Sequence, residues 1–79
     1  MLEERTVRAN GFVMEILFRP GEGYRLACLK GKDLLVEFRG TGRRHRRTVR
    51  GRETAYEFKS VEQLRYDFER DAEDAQRQG

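Results

Sequence analysis

Residues 12 to 38 alternate between apolar and polar side chains in three runs, and this alternation is what most limits the possible folds. A period of two is typical of strands, because successive side chains point to opposite faces of a sheet. Pro20, Gly21 and Gly23 separate the first two runs, and the turn sequence Gly31–Asp33 separates the next two. The pattern predicts three antiparallel strands in a meander, at about residues 12–18, 24–30 and 34–39.

The alternation returns after residue 52 and then changes its period. Residues 53–58 alternate again, which predicts a fourth strand at about residues 53–58, and the pattern leaves open a start as early as Thr48. From Ser60 the apolar residues recur at intervals of three and four, which predicts an amphipathic helix over about residues 61–76. Ser60 and Gln63 have the spacing of a helix N-terminal capping box.

These elements predict one α+β domain spanning residues 1–79. The expected architecture is a three- to four-stranded antiparallel β-meander with one C-terminal α-helix packed on one face, because the helix offers the only stripe that can cover the sheet. A chain of 79 residues buries a thin core. The side chains expected to form it are Met14, Ile16, Phe18, Leu26, Cys28, Val36, Phe38, Tyr56, Phe58, Leu64, Phe68 and Ala72.

The opposite face of the predicted sheet carries more apolar residues than a solvated face needs. An open patch of this kind is typical of interaction surfaces. Two arrangements would cover it: pairing of the sheet in a homodimer, or folding of the N-terminal ten residues over it. The residues in question are Val13, Leu17, Ala27, Leu29 and Leu35.

The segment from residue 39 to residue 52 holds seven arginines, the only histidine and no acidic residue. We call it the arginine-rich segment. The rest of the chain is neutral before it and acidic after it, so the net charge of +3 understates a strong local positive charge. Three glycines within it indicate a flexible hairpin arm or loop, and we predict a loop over residues 39–52.

Several kinds of site are disfavoured by the residues available. One cysteine and one histidine cannot supply the four ligands of a structural zinc site, and Cys28 is expected on the inward face of a strand. Ser60 is the only serine and is explained as a helix cap. A neutral His45 among arginines could act as a base on a phosphodiester, but no residues have the spacing of a known site. We therefore predict no catalytic residues, no metal, no cofactor and no enzyme activity.

The remaining expectations concern location and partners. No apolar run is long enough to cross a bilayer, and acidic residues stand where a secretory signal has a basic start. Together with a single cysteine, this predicts a cytoplasmic protein with no membrane partner. Guanidinium groups match phosphate oxygens bidentately, so the arginine-rich segment predicts binding to the backbone of DNA or RNA. The predicted contact residues are Arg39, Arg43, Arg44, His45, Arg46, Arg47, Arg50 and Arg52.

A protein partner is the alternative function. In that case a small adaptor or inhibitor would use the arginine-rich segment or the exposed sheet face on an acidic protein surface. Residues 56–68, YEFKSVEQLRYDF, form a strand that runs into a capped helix and resemble a stretch of some small phage anti-CRISPR proteins. Ser60, Glu62, Gln63 and Leu64 carry this likeness, which implies binding to a protein and assigns no site residue.

Overall fold

The computed structural model describes residues 2–78 and has one antiparallel sheet with a helix on one of its faces. The six strands lie side by side in sequence order, so every connection is a short turn between neighbours. A single helix follows the last strand. The elements are β1 (Leu2–Val7), β2 (Phe12–Arg19), β3 (Gly23–Lys30), β4 (Asp33–Thr41), β5 (Arg44–Val49), β6 (Arg52–Ala55) and α1 (Val61–Gln78).

The α+β class and the antiparallel sheet with a C-terminal helix are confirmed, but the sheet has six strands where the sequence predicted three or four. The three central strands and the helix lie where the alternation and the helical period place them. β1 and β5 were not predicted. The predicted fourth strand is also shorter than expected, since Tyr56 and Phe58 follow β6 in the connection to α1, and Gly51 lies in the turn before it.

The helix is held against the sheet by one apolar stripe. Leu64, Phe68, Ala72 and Ala75 are buried against the helix-facing residues of β2, β3 and β4. Phe68 meets Phe38 edge to face, with ring centroids 6.1 Å apart. Ser60 caps the helix as predicted, because its Oγ accepts a hydrogen bond from the backbone N–H of Gln63 at 3.1 Å.

We call the sheet surface opposite α1 the open face. The N-terminal residues do not cross it; they extend the sheet as β1, paired with β2. An ion-pair network covers part of it instead, because Arg25 bridges Glu37 at 2.6 Å and Glu15 at 3.8 Å. Ala27 beneath this network is fully buried. The homodimer stays a prediction, and sedimentation of a 9.4 kDa species alone would remove it.

Leu35 does not lie on the predicted face, because a β-bulge shifts the pairing of β3 with β4. The register of β3 against β4 shifts between Cys28 and Leu29, so that Leu34 lies opposite Leu29. Leu35 packs against the core of the helix side rather than lying on the open face. An extra residue in one strand has this effect because it interrupts the alternation of side chains between the two faces of the sheet.

Candidate nucleic-acid interface

The arginine-rich segment is a β-hairpin rather than a loop. The end of β4 pairs with β5 from Thr41↔Arg44 to Val36↔Val49, and β5 pairs in turn with β6. Gly42 and Arg43 form the two-residue turn, and Gly42 has φ +59°, the left-handed conformation that tight hairpin turns require. The prediction of a loop over residues 39–52 was wrong because five successive polar residues in β5 hide the strand period.

Pairing divides the predicted contact residues between two faces. Arg39 lies opposite Arg46, and Arg47 lies opposite the buried Phe38. Arg39, Arg44 and Arg46 therefore lie on the open face, whereas His45 and Arg47 lie on the face that carries α1. Arg43 is exposed at the turn. The structure thus does not bring all eight predicted residues to one surface.

Arg47 is part of the packing between sheet and helix. Its Nε donates to Asp71 Oδ2 of α1 at 2.5 Å, and the Asp71 side chain is only 6% exposed. The guanidinium also lies over the Phe38 ring, 5.8 Å from its centroid. Its hydrogen bond to Asp71 raises the pKa of Arg47 above its usual value. We conclude that Arg47 contributes to stability and does not belong with the exposed arginines of the segment.

We expect Arg47→Ala to destabilise the domain by about 3 kcal/mol, because it leaves the Asp71 carboxylate buried without its main partner. Arg46→Ala, one residue away on the exposed open face, should change the unfolding free energy by less than about 0.5 kcal/mol. Urea denaturation of the two variants checks both values. Equal stabilities would mean that the pair with Asp71 contributes nothing.

His45 belongs to an array of aromatic rings at the hairpin end of the sheet. Its ring stacks on Phe58 with a centroid distance of 5.2 Å and on Tyr24 with 5.6 Å. The Tyr24 hydroxyl and His45 Nδ1 are hydrogen-bonded at 2.9 Å, and burial raises the pKa of Tyr24 to about 12. Phe18 stacks on the other side of Tyr24.

Gly40 makes this array possible. It lies between Tyr24 and His45 in the register of β3, β4 and β5. A Cβ at this position would lie 2.5 Å from the Tyr24 ring and closer still to His45 Nδ1. The two rings cover the glycine backbone and meet above it, so only glycine fits here.

Arg50 and Arg52 lie at the opposite end of the sheet from the β4–β5 turn. Arg50 is in the turn between β5 and β6, and its guanidinium donates to the Ala75 carbonyl near the C-terminus of α1 at 3.4 Å. A cation is favourable there because the helix C-terminus carries partial negative charge. Arg52 opens β6 and is exposed. Neither residue joins the cluster at the hairpin tip.

We call Arg39, Arg43, Arg44 and Arg46 the basic corner. All four are exposed, and within residues 2–78 only Arg39 makes a salt bridge, to Glu53 at 3.4 Å. Exposed pairs of this kind contribute about 0–1 kcal/mol. The open-face residues of the corner line a shallow depression together with Gly40, Thr41 and Glu53.

Three arginines lie in one row across the open face. Arg25 is the register partner of Arg39, and Arg39 is the partner of Arg46. Neighbouring strands are about 4.8 Å apart, so the backbone positions of the three arginines span about 10 Å across the strands. Like charges placed directly opposite one another destabilise a sheet. Arg25 joins this row because the pairing of β3 with β4 brings it beside the arginine-rich segment.

Other kinds of site find no support in the part of the chain that the structure describes. Residues 2–78 contain no group of three or more side chains arranged to hold a metal ion. Cys28 is fully buried, and burial raises the pKa of its thiol. Between residues 2 and 78, no helix is long and apolar enough to cross a membrane.

Comparison with known proteins adds no relative. The sequence matches no family model, and neither the curated proteins nor the solved structures include a significant match.

Proposed function

We propose that this protein is a small non-enzymatic accessory or regulatory protein that binds nucleic acid through the basic corner. The row formed by Arg25, Arg39 and Arg46 is the observation that carries the proposal. Like charges repel one another across the row; Arg25 and Arg39 pair with carboxylates, whereas Arg46 makes no salt bridge within residues 2–78. Phosphate oxygens would relieve this repulsion, and guanidinium groups bind them bidentately.

The distribution of charge predicts the face of the protein on which a nucleic-acid strand binds. α1 carries six acidic and three basic residues, and its outer surface lies on the far side of the sheet from the row of arginines. A polyanion is repelled from the helix and attracted to the open face and the hairpin tip. Contacts of this kind are made with the backbone, so binding is largely indifferent to sequence.

The salt dependence of binding tests the proposal. If about four arginines meet phosphates of duplex DNA, the logarithm of the affinity should fall against the logarithm of salt concentration with a slope near −4. Fluorescence anisotropy with a labelled duplex measures this slope. Absence of binding to DNA and RNA even at low salt would refute the proposal.

An acidic protein partner is the competing function, and a pull-down separates the two. Binding through phosphates predicts that nuclease treatment removes what the protein retains from a cell lysate, and that raised salt weakens the retention. A protein partner predicts stoichiometric retention of one polypeptide that survives nuclease. This second result would assign the basic corner to protein recognition.

A further inference from the structure

A cleft of about 290 Å³ opens beside the aromatic array at the hairpin end of the sheet. It lies between the β2–β3 turn and the β4–β5 turn, beyond the N-terminus of α1. Its apolar walls are the rings of Phe18, Tyr24, His45 and Phe58. Phe18, His45 and Phe58 are only partly buried, so the array presents ring surface to the cleft instead of being closed into the core.

The cleft on the helix side and the basic corner on the open face share Gly40 as a lining residue. Three depressions meet at Gly40: the aromatic cleft, a groove along Arg19, Arg25 and Thr41, and the depression between Arg39, Arg44 and Arg46. Gly40 is close to the end of β4, beside the β2–β3 turn and the β4–β5 turn. A strand of nucleic acid that passes around this end of the sheet would go from arginine side chains on one face to aromatic rings on the other.

We infer that the aromatic cleft accepts one unpaired base of the nucleic-acid strand whose phosphates lie on the basic corner. This rests on the proposed function and adds to it a preference for single-stranded over fully paired nucleic acid. A planar base fits beside parallel rings, and every base has a face that can stack. Residues 39–52 contain no phenylalanine, tyrosine or tryptophan; Phe18, Tyr24 and Phe58 come from distant parts of the chain.

The chemistry of the walls favours a base over a plain apolar group. The planes of the His45 and Phe58 rings differ by 13°, and those of the Phe18 and Tyr24 rings differ by 9°. Flat surfaces in this arrangement match a flat ligand, and the partly exposed imidazole adds a polar edge. Arg19 lies at the rim of both the cleft and the neighbouring groove, where it can hold the adjoining phosphate.

Two oligonucleotides of equal charge test this inference. One is a thymidine strand of about 12 nucleotides, and the other is an abasic strand with the same number of phosphates. The wild-type protein should bind the thymidine strand about tenfold more tightly, which is the contribution of stacking one base. Phe58→Leu should remove most of this ratio while leaving the affinity for the abasic strand unchanged.

Tyr66→Leu is the matched control, because Tyr66 is 61% exposed on α1 and lies outside the cleft. It should keep the wild-type ratio. If Phe58→Leu fails to fold by circular dichroism, Phe18→Leu removes a ring from the other side of the cleft and should lower the ratio in the same way. Binding of both strands with equal affinity would overturn the base site and leave the phosphate contacts standing, whereas binding of neither would overturn both.

Discussion

Phe68→Ala should strongly lower the melting temperature of the domain. Phe68 is fully buried, and its ring fills the space between α1 and Phe38 of β4. Removing a buried phenylalanine ring costs about 3–5 kcal/mol, through lost transfer free energy and the cavity left behind. A domain of this size has a total stability of about 4–12 kcal/mol, so the substitution removes a large part of it.

Thermal denaturation followed by circular dichroism measures this effect. Each kcal/mol shifts the midpoint by about 4–8 °C in a small domain, so a drop of about 15 °C or more is expected. Tyr66→Ala is the control on the same helix, and because its ring is exposed it should shift the midpoint very little. A Phe68→Ala variant that melts within a few degrees of the wild type would contradict the packing of α1 on the sheet.

Replacing the four arginines of the basic corner with alanine should weaken binding to nucleic acid by about a thousandfold or more at roughly 50 mM salt, because about four phosphate contacts are lost. The stability should change little, since all four side chains are exposed. Arg47 is left in place because its pair with Asp71 holds the helix. Filter binding with a labelled strand measures the affinity.

A second fourfold variant separates local contacts from total charge. Arg8, Lys32, Arg70 and Arg77 are also exposed, and they lie on α1 or at the other end of the sheet. Their replacement by alanine removes the same four charges. A general attraction between a basic protein and a polyanion would be weakened equally by both variants, whereas contacts at the basic corner predict a far smaller loss for this one.

The strands found from the sequence are those with one buried face. β2, β3 and β4 each present apolar residues to the core at alternate positions, so the period is visible in the sequence. β1 has no such period, because it is an edge strand with all six residues exposed. Nothing in the residues of β1 indicates that it pairs with β2, its only neighbour in the sheet.

β5 was missed for a different reason. Its helix-facing residues are His45, Arg47 and Val49, and two of these are polar. They are satisfied by Tyr24 and Asp71, which are distant in sequence. The arginines could be recognised as a potential phosphate-binding group from composition alone, but their division into exposed and structural members depends on strand pairing. The aromatic cleft depends on it as well.

Mapping of amide chemical shifts during titration with a short oligonucleotide tests the central claim most directly, because it reports which residues the nucleic acid meets. We expect the shifts to concentrate at residues 39–46 and in the turn around residues 19–23, with the amides of residues 65–77 in α1 nearly unchanged. Shifts that concentrate on α1 or around the β5–β6 turn, while residues 39–46 stay unperturbed, would contradict the assignment of the basic corner as the nucleic-acid interface.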